Sequence, residues 1–271
     1  MNITGKNTVI RKINKNILII LKKIKKAENC VQNAEKIMTD VHSHIIQELD
    51  DGSPSLETSL KLIEEEIKQG VTDIICTPHY RFGLFESSGE TVLSKFDEIK
   101  KAALKLFPNL NLYCGREIYY SEESYKLIKN KQIETLNGTK YLLMEFPFFS
   151  ETDIDEICYN IGVFGYTPVI AHIERYVYFR DVNLVSSVKK NGAMIQINAG
   201  TICGASGNAL RKFAFKLMKN DLIDFIGSDL HYGRTCYMAE AYEKVSKKFG
   251  GIYAEKIFNL NARKLLLGNL S

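Results

Sequence analysis

The chain has 271 residues, is 45% hydrophobic and carries a net charge of +4, which suits one sizeable core and a single large α/β domain. The charge is uneven: residues 1–39 hold nine Lys/Arg against Glu28 and Glu35, net +7, leaving the rest at −3, which argues against a general nucleic-acid-binding surface on the main domain. No apolar run approaches the roughly 18–20 residues of a membrane span, and "ILIIL" (Ile17–Leu21) is too short for a secretory signal and lacks a cleavage-like site.

The first segment stands apart. Ile13, Ile17, Ile20, Leu21 and Ile24 fall on one helical stripe with lysines around it, the pattern of a basic amphipathic helix for a membrane surface or a partner. An extra helix packed on the domain, or a tail, would read the same way. Residues 1–37 are therefore taken as a basic extension and 38–271 as the domain; Met38 is also a candidate start.

From there the pattern alternates regularly. Strand-like runs are expected at "IMTDVHSHI", "VTDIICTP", "NLYCGREI", "YLLMEF", "TPVIAH", "AMIQIN" and "IDFIGSDL". The first is followed by a helix in which Leu56, Leu60, Ile63 and Ile67 recur at helical spacing, opened by "SPS" and ended at Gly70. Further helices are expected over 90–107, 121–130, 152–165, 182–191, 206–220 and 238–250. Seven strands, each followed by a helix, predict parallel pairing in a barrel or a doubly wound sheet, and continuously apolar strands suit a sheet buried on both faces.

The chemistry gathers at the strand ends. The five histidines are His42, His44, His79, His172 and His231, and each ends or just follows an expected strand. Glu117 and Glu145 take the same position on the third and fourth strands, and Asp229 precedes His231 by two. In a parallel β/α barrel all strand C-termini open on one face, and the HxH spacing points both imidazoles the same way. A lone strand histidine is more often a core or surface residue than a ligand. Five at strand ends, with carboxylates in register, point to a site for divalent cations.

Six scattered cysteines, Cys30, Cys76, Cys114, Cys158, Cys203 and Cys236, form no CxxC pair, which suits a reduced cytoplasmic protein. None is followed six residues later by an arginine, so the loop of cysteine-dependent phosphatases is absent.

In order and spacing, "DVHSHIIQELDDGS", "TPHY", "GREIYY", "LLMEFPF", "AHIERY" and "GSDLH" resemble the PHP (polymerase and histidinol phosphatase) superfamily. Within it they look like the bacterial manganese-dependent protein-tyrosine phosphatases of the CpsB type, which act in capsule and exopolysaccharide control. The resemblance runs from about Met38 to Gly268. It implies an α/β fold, a distorted seven-stranded (β/α)7 TIM-like barrel. It also implies nine metal ligands, His42, His44, Asp51, His79, Glu117, Glu145, His172, Asp229 and His231, holding three divalent ions. Manganese is favoured, with iron, zinc or magnesium as alternatives. The chain departs from the usual pattern at Gln47 and Glu48, where "PG" is common, at Ile173, and in the basic extension.

The expected activity is hydrolysis of phosphotyrosine by a metal-activated hydroxide, on a bacterial tyrosine autokinase at the inner face of the membrane. Such hydrolysis is very slow without a catalyst, and cations that polarise the phosphoryl oxygens answer that need. Arg175, in "ERY", and Arg234 are the candidate phosphate-binding cations. Tyr80, Phe82, Phe85, Phe146, Phe148 and Phe149 are candidates to frame a flat aromatic leaving group. The alternatives are a phosphatase of a small phosphomonoester such as histidinol phosphate, and a non-catalytic metal-bound regulator that binds a kinase.

Overall fold

The computed structural model describes residues 37–267. The expected amphipathic helix at 13–24 lies outside them.

All seven apolar runs form strands, and every paired neighbour is parallel. They are β1 (Met38–Ser43), β2 (Val71–Cys76), β3 (His79–Tyr80), β4 (Asn111–Cys114), β5 (Glu117–Tyr119), β6 (Tyr141–Glu145), β7 (Thr167–Ile170), β8 (Met194–Asn198) and β9 (Phe225–Gly227). Two further short strands arise where pairing breaks. Thr77 and Pro78 close the second run, where proline has no N–H to give a ladder, and β3 follows beyond it; Gly115 and Arg116 split the third run into β4 and β5.

The breaks divide the pairing into β1-β2-β4 and β3-β5-β6-β7-β8-β9. Backbone bonds from Thr77 N to Ser43 O (2.8 Å), Gly115 N to Cys76 O (2.9 Å) and Glu117 N to Pro78 O (3.2 Å) carry the course of the strands across them. At the other end, His44 N donates to Leu230 O (2.9 Å) and Asp229 N to His42 O (2.8 Å), so the chain after β9 runs beside β1. The result is a curled parallel sheet with helices outside it. The whole sheet therefore presents its strand C-termini on one side.

The apolar residues sort into two clusters by the period of two along each strand. Ile74, Leu142, Met144, Ile170, Ile195 and Ile226 pack outward against the helices. Val41, Ile75, Leu143, Val169, Ala171 and Phe225 face inward, joined by Ala262 and Leu265 of the last helix, Ala262–Leu267. Glu145 follows Leu143 by two and so continues the inner face to the mouth. Gln196 and Asn198 likewise continue the face of Met194.

The connecting helices agree with their expected spans within a few residues: Leu56–Lys68, Gly89–Leu106, Glu122–Lys129, Ile154–Val163, Val182–Lys190, Asn208–Lys219 and Met238–Phe249. The first is capped by Ser55, whose hydroxyl accepts from Thr58 N at 3.2 Å. Sequence periodicity missed the short turns Ile173–Arg175 and Val177–Phe179 and the helix Ala199–Cys203, each too brief to show an amphipathic repeat. All three flank the strand ends where the site is built.

One buried carboxylate ties the first strand to the last. Asp40 Oδ1 accepts from His42 N (3.1 Å) and Ser228 N (2.8 Å), and Oδ2 accepts from Ser228 Oγ (2.5 Å). Gly227 allows this approach, because a Cβ there would stand 2.7 Å from His42 Cβ.

Candidate metal centre

The histidines and acids singled out in the sequence converge at the strand C-termini. His42 and His44 bring their Nε2 atoms to 3.0 Å from each other, and each lies 3.2 Å from Glu117 Oε2. His79 Nδ1 is 3.1 Å from the same oxygen and 3.8 Å from Glu145 Oε2. His172 Nε2 is 2.8 Å from Glu117 Oε1 and 3.7 Å from Glu145 Oε1. Glu117 thus stands at the centre, with four imidazoles around its carboxylate.

Three groups have donor atoms close enough to share an ion: His44, His79 and His231; His42, His44 and Glu117; and His79, Glu117 and Glu145. Asp229 Oδ1 lies 3.5 to 3.9 Å from His231, His44 and His42. Asp51 is the outlying member. Its side chain is 59% exposed and its Oδ1 is 3.6 Å from His231 Nε2 and 3.8 Å from His79 Nε2, so it stands at the rim.

The donor set fits divalent cations. His172 Nδ1 is buried with no hydrogen-bond partner among the described residues, a costly state for a polar atom, and Glu117 Oε2 and His79 Nδ1 make only the close contacts given above, with no well-directed hydrogen bond. Two imidazole nitrogens 3.0 Å apart cannot both present lone pairs to one another without a proton or a cation between or beside them. Imidazole and carboxylate together suit manganese, iron or zinc.

Three of the five imidazoles are held in the tautomer that leaves Nε2 open. His42 Nδ1 faces Gln196 Oε1 (3.2 Å), His44 Nδ1 faces Asp50 Oδ2 (2.8 Å), and His231 Nδ1 faces the Asp229 carbonyl (3.0 Å). Each oxygen accepts an Nδ1–H, leaving Nε2 free to bind. Gln196 Oε1 also accepts from His172 N (2.7 Å), and its amide donates to Asn198 Oδ1 (2.9 Å). Asn198 Nδ2 then donates to Asp229 Oδ2 (2.8 Å). Asp50 accepts in addition from His79 N (2.8 Å) and Gly52 N (2.9 Å).

Gly52 is required by space. A Cβ there would lie 2.1 Å from His44 O and 2.4 Å from His44 Cβ. His172 and Asp229 occupy left-handed backbone, φ 31° and 52°, which disfavours side-chain-bearing residues. Both sit where the chain turns sharply off a strand into the mouth.

Charge within the cluster is strongly organised. Burial works against ionising Glu117, but His42 and His79 hold its carboxyl well below the usual range. Burial and the neighbouring Glu117 push Glu145 up to about 8. Burial opposes the charge of Asp229 too, yet His42, His172 and His44 hold it at about 2. Burial lowers His79 to about 4, and burial with His44 lowers His231 to about 3, so both are neutral ligand forms at pH 7. His42 and His44 are raised despite burial, His42 by Glu117 and His44 by Asp50. Both shifts report the negative charge gathered around Glu117 and Asp50, the charge a cation would neutralise.

Both candidate arginines reach the site. Arg175 Nη1 is 3.4 Å and Arg234 Nη1 3.3 Å from Asp229 Oδ2. The Arg175 guanidinium lies over Phe148, 4.2 Å from the ring centre. Glu174, next to Arg175 in the chain, is buried and accepts from Asn198 N at 3.0 Å.

A cavity of about 230 Å³ opens onto the cluster, lined by both arginines, Phe85 and Phe148. Of the six aromatic candidates, these two reach it. Phe146 is fully buried against Tyr176, Phe82 and Phe149 are 54% and 84% exposed, and Tyr80 lies by Arg116. Periodicity hides which aromatic of a run faces the mouth.

Sequence reasoning missed Asp50, Gln196 and Asn198. An amide in the otherwise apolar run "MIQIN" was the available signal for Gln196. Asp50 was overshadowed by its neighbour Asp51, which motif matching selected.

Comparison with known proteins follows the same lines. The family model for capsular polysaccharide synthesis proteins, CpsB/CapC, matches residues 38–267. The chain is 37% identical over 238 residues to the tyrosine-protein phosphatase CpsB of Streptococcus agalactiae, covering 84% of this chain and 98% of that one. It is 33% identical over 217 residues to the tyrosine-protein phosphatase YwqE of Bacillus subtilis, covering 79% and 85%. Among solved structures, it is similar to the metal-dependent tyrosine phosphatases YwqE from Bacillus subtilis and CpsB from Streptococcus pneumoniae. That match has a TM-score of 0.79 and 32% identity, over 85% of this chain and 94% of the other. A histidinol phosphate phosphatase from Lactococcus lactis aligns with a TM-score of 0.54 at 15% identity, over 79% and 94%, a likeness of fold alone. With 230 consecutive residues matched and the strand-end histidines gathered in one cluster, the chain belongs to the CpsB/CapC family of capsular polysaccharide synthesis proteins.

Proposed function

We propose that this chain removes phosphate from phosphotyrosine in a protein substrate. It is a metal-dependent phosphatase of the CpsB/CapC/YwqE type. The observation that carries this reading is the convergence of imidazoles and carboxylates with two guanidinium groups on one cavity.

His42, His44, Asp51, His79, Glu117, Glu145, His172, Asp229 and His231 would hold the cations, three in this reading and manganese by preference. When bound, such ions activate water and polarise phosphoryl oxygens. The chain's own residues do the rest. Gln196, Asp50 and the Asp229 carbonyl fix the imidazoles. Arg175 and Arg234 offer planar donors to a phosphoryl group, balancing charge that grows in the transition state. Phe85 and Phe148 flank the cavity where an aryl ring would lie. Burial raises the described thiols, Cys114 and Cys203 to about 12, so none of these five is poised as a thiolate nucleophile.

The hydrogen bonds from His44 and Asp229 across to the first and last strands support reading the curled sheet as a seven-stranded (β/α)7 barrel. The family match beginning at residue 38 supports the division into a basic extension, 1–37, and a domain, 38–271. The substrate in this reading is a bacterial tyrosine kinase of capsule or exopolysaccharide synthesis. The setting is the cytoplasm, with the basic extension meeting the membrane face. No helix among the described residues is long and apolar enough to cross a membrane.

The test is phosphate release from a phosphotyrosine peptide by metal-stripped protein, with manganese, magnesium, zinc or nothing restored. Activity that returns with metal and is lost in His42→Ala supports the reading. Folded, metal-loaded protein that releases no phosphate refutes it.

A further inference from the structure

Beside the metal cavity lies a second, larger groove of about 520 Å³. The two share a wall made of Arg175, Asp229 and Arg234. The far side comes from the helix Ala199–Cys203, the turn after it and the loop after His231. Its chemistry differs from that of the metal cavity. Thr201, Ser206, Thr235 and Tyr237 bring hydroxyl groups, Leu210 gives an apolar contact, and the shared Asp229 is its one carboxylate among the described residues.

These features suit one kind of ligand. Hydroxyls both donate and accept, which matches the alternating N–H and C=O groups of an extended main chain better than it matches an ion. The volume lies in the range of about 300–1,000 Å³ found for ligand sites. The position is continuous with the cavity: a group whose phosphoryl oxygens meet Arg175 and Arg234 leaves its remaining bulk at the groove's edge. The groove is also built rather than incidental. Ala205 N donates to Gly200 O (2.9 Å), Thr201 Oγ1 donates to Ser206 Oγ (3.2 Å), and buried Cys236 anchors the loop that carries Arg234 and Thr235.

We propose that this groove is the subsite for the substrate polypeptide on one side of the phosphotyrosine, so that the protein reads main chain as well as the phosphorylated ring. This rests on the phosphotyrosine reading above. It assigns the discrimination between a protein substrate and a small aryl phosphate to Thr201, Ala205, Ser206, Leu210, Thr235 and Tyr237, none of which is itself a candidate metal ligand.

The test uses metal-loaded full chain with Ala205→Trp and, separately, Thr235→Trp. Both residues are exposed, so a bulky side chain fills the groove without entering the core. Two substrates are compared, a phosphotyrosine peptide with three residues on each side and p-nitrophenyl phosphate. Binding of the same peptide carrying phosphonomethyl-phenylalanine, against the lone phosphonomethyl-phenylalanine amide, gives a readout free of turnover. The expected result is a fall of about tenfold in the peptide-to-nitrophenyl ratio of kcat/KM, carried by KM, with a matching loss of peptide affinity. Equal losses on both substrates, or none on the peptide, overturn the subsite while the phosphatase reading stands. Wild-type protein that neither turns over nor binds either ligand overturns both.

Discussion

The residue whose role is sharpest is Asp50, which no motif named. Its side chain is buried, and three donors converge on it: His44 Nδ1 and His79 N on Oδ2, both at 2.8 Å, and Gly52 N on Oδ1 at 2.9 Å. Burial opposes its charge, but His44 and the His79 backbone N–H hold its carboxyl well below the usual range. Asp50→Asn keeps the shape and removes an acceptor. If the amide nitrogen faces Gly52, one donor is unmatched; if it faces His44 and His79, two are. Leaving one buried donor unmatched costs about 1–3 kcal/mol. Loss of such an orienting partner weakens metal binding about 10–100-fold, or about 1.4–2.7 kcal/mol. The assay is titration of metal-stripped protein with manganese against a chromophoric chelator, followed by turnover at saturating metal. Expected are weaker binding by that factor and turnover that excess metal largely restores. Unchanged metal affinity in Asp50→Asn would refute the orienting role.

Four further outcomes follow from the same geometry. Arg175→Ala should lower kcat/KM on a phosphotyrosine peptide about 10²–10³-fold with metal content unchanged, and Arg175→Lys should recover little, because an ammonium lacks the planar fork that lies over Phe148; metal loss in Arg175→Ala would contradict this. Gly52→Ala, with its Cβ 2.1 Å from His44 O, should lower stability by about 2–4 kcal/mol and displace the His44 imidazole, as checked by urea unfolding and metal content. Glu66 is raised well above 4.5 by burial and by Asp40, so the folded state keeps a proton that the unfolded chain releases. Stability should then fall as pH rises above 4.5, by about 1.4 kcal/mol per unit until the folded-state pKa is reached. Glu66→Gln should flatten that slope and be more stable than wild type at pH 8, measured by urea unfolding of metal-free protein; an unchanged slope counts against it. Chelation should lower Tm reversibly, since metal at 100 times its Kd adds about 2.7 kcal/mol; a Tm indifferent to metal would speak against a preformed site.

Sequence by itself determined the order of elements and the chemical type of the site. Seven apolar runs of strand length, separated by amphipathic stretches, left parallel pairing as the economical solution, and all seven form strands. The histidines could be placed at strand ends because strand termination and ligand chemistry are both local properties. The identities of Glu117 and Glu145 as members of the cluster were legible for the same reason.

Tertiary structure decided what depends on side chains meeting across the sheet. Gln196 lies 154 positions from His42, yet its amide fixes that imidazole, and no local pattern encodes such a meeting. Asp50 and Asp51 are adjacent and chemically alike, but the turn buries one against His44 and leaves the other at the rim. Of the six candidate aromatics, Phe85 and Phe148 line the cavity, a choice set by how the loops after the strands fold. The breaks at Thr77–Pro78 and Gly115–Arg116 re-aim the strands so that His79 and Glu117 pair in register. Composition and periodicity are properties of one segment, whereas a binding site is set by the distances between segments.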